Sequence, residues 1–168
     1  AILRGLVGSG DVYKRQILFS TILFNSCDPF VTEFAQDSDA VMYEATDIHD
    51  SLSVYDGSPI KVVTWNVRVG TGRFPFFGDS CGDDVIPEKK DISLILQTIA
   101  DTLNMINADI VLLQEVDVSS KRTGYVDQVQ YLLDNTYYNY ACYASIWKAD
   151  FVPTDGIGKV NMGNAILS

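Results

Sequence analysis

The segments that decide the fold read IKVVTWNV at residues 60–67 and DIVLLQEVD at residues 109–117. Both are mostly apolar and rich in β-branched residues, which is typical of strands buried on both faces of a sheet. Between them, apolar residues recur at steps of three and four, the spacing of one helix face: Ile92, Ile95, Ile99, Leu103 and Ile106. The pattern predicts an α/β fold in which a strand, a long loop, a helix and a second strand follow one another.

Further elements are predicted downstream. Residues 126–135 place valines and leucines on one side of a second helix. Residues 138–147 alternate well enough for a strand, and GNAILS at residues 163–168 starts another strand after a polar, glycine-containing loop. Because the chain stops within this last strand, we expect the domain to continue in a longer parent protein.

The first 27 residues predict two segments that precede the mature protein. Residues 1–16 contain DVYKRQ at positions 11–16, which resembles a translated sequencing-library adapter, so we expect this stretch to be foreign to the protein. Residues 17–27 form a short apolar run that ends in a small residue before Cys27, which resembles the signal of bacterial lipoproteins. That resemblance implies lipidation of Cys27 and export to the periplasm or outer membrane, with the lipid anchor holding the protein on the membrane. The alternative is a buried apolar element with an ordinary core cysteine.

Residues 28–58 are rich in Asp, Ser and Thr, and they predict a tether with one short strand. The domain itself is expected over residues 59–168. The single histidine of the sequence, His49, falls in the tether, and we interpret it as solvated.

Two polar residues lie at the carboxyl ends of the two deciding strands. Asn66 ends the first strand and Glu115 lies near the end of the second. Ligands of open α/β sheets gather outside the carboxyl ends of the strands, so both side chains are expected to face one crevice. An amide oxygen and a carboxylate are hard ligands that suit Mg²⁺. Polar residues end many strands, so this position alone does not separate a catalytic role from a structural one.

The segments VVTWNVR, ADIVLLQEVD and GNAILS, in this order and spacing, resemble the first half of the endonuclease/exonuclease/phosphatase superfamily. The resemblance covers about residues 60–168 and implies a DNase I-like two-sheet sandwich flanked by helices. It implies a metal-dependent phosphodiesterase in which a water attacks the phosphorus in line. The family's later Asp-x-Asn motif, its further metal-site aspartate and its terminal Asp-His pair would belong to the parent protein, and we expect this chain by itself to be inactive.

By resemblance, Asn66 is the active-site asparagine and Glu115 is the primary ligand of Mg²⁺ or Mn²⁺, and Asn66 is expected to contribute its amide oxygen to the same metal site. Asn66 would help to orient the nucleophile or the scissile phosphate. The sequence KRTG at residues 121–124 is also family-like, and it makes Arg122 a candidate phosphate contact. A solvated surface arginine is the other interpretation of Arg122.

The net charge of −10 disfavours a nucleic-acid substrate, because phosphate backbones bind basic surfaces. With the export signal, it favours a lipid or small-molecule phosphoester. The loop at residues 68–87 carries Phe74, Phe76 and Phe77 and is a hypothesis for the element that selects the substrate.

Two alternatives accompany this interpretation. A surface lipoprotein could keep the fold as a non-catalytic binding module. A Rossmann-like nucleotide site is suggested by VGTGRF at residues 69–74, but the third glycine is missing and no helix follows directly. Cys81 and Cys142 could form a disulfide in an oxidising compartment.

Overall fold

The structure is a computed structural model, and it describes residues 39–49, 57–76, 81–153 and 156–168. All of them fall within one compact unit, Val31–Ser168. The segments 1–16 and 17–27, with the predicted lipidation site Cys27, lie outside the described residues, as do most of the predicted tether and Phe77.

The described chain forms one five-stranded mixed sheet with helices, which confirms the α/β class. The strands are β1 (Val41–Glu44), β2 (Val62–Asn66), β3 (Ile110–Asp117), β4 (Tyr140–Val152) and β5 (Gly158–Leu167). Their order across the sheet is β1-β4-β5-β3-β2. Strands β2 and β3 run parallel, with Asn66 paired to Gln114, and the other neighbours run antiparallel. The two deciding segments are therefore adjacent strands, as predicted.

Two α-helices follow the predicted positions. Helix α1 (Lys89–Ile106) begins two residues after Pro87, and it ends at Asn107, whose φ of 52° is left-handed and whose N–H bonds the carbonyl of Leu103. Helix α2 (Gln128–Asp134) is capped by Asp127, whose carboxylate accepts from the N–H groups of Val129 and Gln130. These caps satisfy backbone groups that a helix end leaves without intrahelical partners.

The core lies between the helices and one face of the sheet. Apolar residues of both helices and of strands β3, β4 and β5 form the larger of two buried clusters in the described chain, which includes Ile92, Leu96, Ile99, Leu103, Val111, Leu113, Leu132, Leu133, Tyr143 and Leu167. The predicted face of α1 is confirmed, with Ile95 and Ile106 partly buried at its margins.

The prediction that residues 60–67 form a strand buried on both faces is wrong. Strand β2 lies at the edge of the described sheet, and its residues alternate between exposed and half-buried. The sheet face away from the helices is open in the described part of the chain, so Met42, Val62 and Ile166 are 70%, 52% and 47% exposed. An apolar strand sequence indicates that the side chains can be buried. How much of their surface is buried depends on the neighbouring parts of the chain.

Strands β4 and β5 are longer than predicted. The expected loop at residues 148–162 is mostly strand, because β4 continues to Val152 and β5 begins at Gly158. The sheet also extends into the segment interpreted as a tether, where β1 pairs with β4 along its whole length. His49 follows β1 and is exposed; its backbone N–H donates to the Asn139 side chain at 2.7 Å.

Cys81 and Cys142 are both free thiols, so the disulfide that the sequence left open is not formed; Cys142 lies within β4 and Cys81 in the loop before α1. No helix in the described ranges is long and apolar enough to cross a membrane.

Candidate active site

Asn66 and Glu115 meet at the carboxyl ends of β2 and β3. The Nδ2 of Asn66 donates to Oε1 of Glu115 at 2.8 Å. The parallel register sets this contact, because it places Asn66 opposite Gln114, one residue before Glu115. The structure thus brings the two residues that the sequence singled out into direct contact.

The hydrogen bonds of Asn66 define the orientation of its amide. Its Oδ1 accepts from the backbone N–H of Arg68 at 2.8 Å, which leaves the NH₂ group directed at the Glu115 carboxylate. Both ends of the amide are engaged, so the geometry favours Asn66 as the residue that orients Glu115. The second carboxylate oxygen of Glu115 receives no bond from any residue in the described ranges.

Glu115 has an unusual backbone for a strand residue. Its φ is 55°, in the left-handed region, and the register between β3 and β5 shifts between Leu113 and Val116. A bulge of this kind re-aims a side chain, and a left-handed conformation costs a non-glycine residue about 1–2 kcal/mol. The surrounding pairing therefore holds Glu115 in a conformation that an isolated strand would not adopt.

Arg122 lies on the same pocket and is not solvated. Its side chain is 12% exposed and forms a two-pronged ion pair with Asp117, through Nε at 2.9 Å and Nη2 at 2.8 Å. The hydroxyl of Thr123 also donates to Asp117 at 3.2 Å, and the guanidinium lies 5.5 Å from the ring centre of Trp147. Asp117 is fully buried. Its carboxylate and the ring of Trp147 together keep the guanidinium of Arg122 in one position.

Gln128 connects the turn after β2 with the last residue of β3. Its Oε1 accepts from the N–H of Asp117 at 3.0 Å, and its Nε2 donates to the carbonyl of Val69 at 2.7 Å. The side chain is fully buried at the start of α2. Gly70 packs against it with a φ of 68°, and a Cβ there would come within 2.8 Å of Nε2. Both the conformation and the contact at position 70 require glycine.

Asn66, Glu115 and Arg122 line a pocket of about 590 Å³. Its polar lining includes Asn66, Glu115 and Arg122, and the remaining lining residues are Arg68, Val69, Thr71, Phe74, Phe76, Val85, Pro87 and Met162. The loop proposed as a selecting element therefore supplies most of one wall. The pocket has the size of a small-molecule site.

Tyr143 lies near this network as a neutral hydrogen-bonding group. Burial raises the pKa of Tyr143 to about 12, the hydrogen bond with Ser145 works in the opposite direction, and the charges of Asp117 and Asp127 raise the pKa further. Its hydroxyl lies 3.1 Å from Oδ1 of Asn161. A phenol with this pKa stays protonated near neutrality, so Tyr143 does not supply a nucleophile there.

The donor set of the pocket fits a magnesium ion that also binds its substrate. In the described ranges no three His, Cys, Asp or Glu side chains group together in a way that could hold a metal. Mg²⁺ needs fewer protein ligands than that, because it keeps several waters and is bound by one or two carboxylates together with phosphate oxygens. Glu115 can supply such a carboxylate, and Asn66 fixes its orientation.

The sequence reasoning did not single out Asp117 and Gln128. Nothing in QEVD distinguishes a buried aspartate from a solvated one at the end of a strand. Gln128 did carry a signal, because it lies four residues before Leu132, on the helix face that Val129 and Leu133 also share. A glutamine on an apolar helix face needs buried hydrogen-bond partners.

The glycines that suggested a nucleotide site have a different role. Gly70 and Gly72 allow left-handed turns after β2, and the next α-helix begins only at Lys89. Phosphates would find no helix N-terminus directly after this turn. Comparison of the chain with protein-family models, with curated proteins and with solved structures found no match.

Proposed function

We propose that this chain carries the metal- and phosphate-binding part of a Mg²⁺-dependent phosphoester hydrolase of the endonuclease/exonuclease/phosphatase type. The observation that carries the proposal is the bond between Asn66 and Glu115 in the pocket that Arg122 also lines. A carboxylate can hold a divalent cation and a fixed guanidinium can bind a phosphate, and both groups contribute to phosphoester cleavage.

Each residue has a role that its contacts support. Glu115 binds the cation, and Asn66 holds the carboxylate of Glu115 in one orientation. Arg122 binds a phosphate oxygen, since Asp117 and Trp147 keep its guanidinium at the pocket wall. When bound, Mg²⁺ would neutralise charge on the phosphate oxygens. A water oxygen then forms a bond to phosphorus, the ester P–O bond breaks, and a proton ends on the departing oxygen.

The finer fold, a DNase I-like sandwich, is part of the same proposal. Its support is the open face of the sheet, where Met42, Val62 and Ile166 are exposed although they are apolar. Exposed apolar area of this kind is typical of a surface that another layer covers. Export as a lipoprotein and a preference for lipid or small-molecule phosphoesters remain predictions from the sequence.

Cation binding tests the proposal directly. Titration of the chain with Mn²⁺, followed by electron paramagnetic resonance, should show one site that Glu115→Gln weakens at least tenfold. Asn66→Ala should weaken it about tenfold, because removing a residue that orients a ligand typically has an effect of 10–100-fold. Glu88→Gln is the matched control, since Glu88 is an exposed glutamate paired with Lys90.

Hydrolysis of bis(p-nitrophenyl) phosphate separates the enzyme from the binding module. Mn²⁺ binding that depends on Glu115, with Mg²⁺-dependent hydrolysis by the full-length protein, supports the hydrolase. The same binding without hydrolysis by the full-length protein would support the non-catalytic module. Binding that Glu115→Gln leaves unchanged would contradict both assignments of the site.

A further inference from the structure

The pocket lining combines polar and apolar side chains. Its polar residues are Asn66, Arg68, Thr71, Glu115 and Arg122. Its apolar residues are Val69, Phe74, Phe76, Val85, Pro87 and Met162. A site that bound only inorganic phosphate would have no use for this apolar area, because phosphate presents oxygen atoms alone.

The aromatic part of the wall is held in place by its own loop. The guanidinium of Arg68 donates to the carbonyls of Gly72 at 2.7 Å and Phe74 at 3.1 Å. The N–H of Phe76 bonds the carbonyl of Phe74 at 2.8 Å, and Asp84 N–H bonds the carbonyl of Pro75 at 3.0 Å. The loop is therefore tied across its base, and both phenylalanines are half-buried at the pocket. A loop backbone that is ordered before binding loses little conformational freedom when a ligand packs on it.

We propose that this wall binds the apolar group of a small phosphoester whose phosphate lies against Arg122. The inference rests on the proposed function and adds the substrate class: a compact ester with one aryl or alkyl group. The pocket volume of about 590 Å³ accommodates such a molecule. A nucleic-acid strand fits less well, because a net charge of −10 repels a chain of phosphates.

Two phosphonates test binding at the apolar wall. They have a P–C bond in place of the ester P–O bond, so they are not hydrolysed. Phenylphosphonate and methylphosphonate carry the same anionic group, and they differ in the substituent on phosphorus, which is a phenyl ring in one and a methyl group in the other. By isothermal titration calorimetry with Mg²⁺ present, the chain should bind phenylphosphonate about tenfold more tightly, the gain expected from partial burial of one ring. Phe76→Ala should remove most of this preference and leave the affinity for methylphosphonate unchanged.

Two variants control for folding and for position. Phe151→Ala removes a phenylalanine that is 61% exposed on β4, outside the pocket lining, and should leave the preference intact. Met162→Gln changes the wall from β5 at nearly constant volume and should lower the preference without removing a ring. Circular dichroism confirms that each variant is folded.

The outcomes separate this inference from the hydrolase proposal. Equal affinities for the two phosphonates, unchanged by Phe76→Ala, would overturn the apolar subsite and leave the phosphate site standing. A preference that depends on Phe76 but is indifferent to Mg²⁺ and to Glu115→Gln would support the subsite and count against the hydrolase. Binding of neither phosphonate at millimolar concentration would overturn both.

Discussion

The two ends of strand β3 use polar groups in opposite ways. At the amino end, the hydroxyls of Tyr137 and Tyr138 both donate to the carbonyl of Ala108, at 2.6 Å and 2.9 Å. Burial and the neighbouring Tyr137 raise the pKa of Tyr138, so its hydroxyl remains a neutral donor. Among the described residues, this end carries no buried charge, and its hydrogen bonds satisfy only the carbonyl of Ala108, just before the strand begins.

At the carboxyl end, the chain buries a full charge and distorts its backbone. Asp117 is completely buried against Arg122, and Glu115 has a left-handed φ of 55°. Neither feature is needed to end a strand, as the amino end demonstrates. Backbone strain and buried charge are most often found where side chains must be held for a ligand. Their presence at this end supports the site assignment independently of the resemblance.

Arg122→Ala, at the carboxyl end of β3, is expected to cause the largest loss in the free energy of unfolding. The substitution leaves the buried carboxylate of Asp117 with Thr123 as its remaining side-chain partner. Breaking a buried ion pair on one side costs about 3–5 kcal/mol, and urea unfolding should show a loss of this size. Lys90→Ala, in the exposed pair with Glu88, should leave the midpoint nearly unchanged.

A companion double variant sharpens this result. Asp117→Leu combined with Arg122→Met removes both charges and should recover most of the lost stability. An Arg122→Ala loss as small as that of Lys90→Ala would mean that Asp117 does not carry a buried charge.

A comparison of Gln128→Leu with Tyr138→Phe tests the two ends directly. Gln128→Leu removes the side-chain partners of the Asp117 N–H and the Val69 carbonyl, at about 1–3 kcal/mol for each group. Tyr138→Phe should cost only about 1 kcal/mol, because the Tyr137 hydroxyl still bonds Ala108. Unfolding in urea measures both.

Mn²⁺ affinity then separates positioning from stability. Folded Gln128→Leu should bind Mn²⁺ about tenfold more weakly, because the turn after Asn66 and the end of the strand that carries Glu115 lose their link. Tyr138→Phe should bind as the unaltered chain does. If the two variants changed the affinity for Mn²⁺ equally, the carboxyl end of β3 would have no special role in positioning the metal ligands.

The smallest expected change in stability comes from the backbone conformation of Glu115. Both Glu115→Gly and Glu115→Ala remove the carboxylate, but only glycine is unstrained at a φ of 55°. The glycine variant should be more stable than the alanine variant by about 1 kcal/mol in thermal or urea unfolding. At Thr64, an ordinary position of β2, the order should reverse, and the same order at both positions would argue against strain at Glu115.

Much of the fold and the central pair of the site could be predicted from local pattern. The step of three and four in α1 and the apolar runs of β2 and β3 are properties of short segments, so their element types follow from nearby residues. A strand–helix–strand passage also makes the two strands parallel neighbours, which is why Asn66 and Glu115 could be expected at one crevice.

The tertiary structure alone decided the rest. The edge position of β2, the pairing of β1 with β4 and the extent of β5 depend on contacts between distant segments, which leave no periodic trace in the sequence. The burial of Asp117 beneath Arg122 and the bond from Gln128 to Val69 likewise arise only when several elements pack together. The sequence by itself determined that Asn66 and Glu115 lie near the carboxyl ends of β2 and β3, and long-range packing determined the other strand bounds and which polar residues became buried and paired.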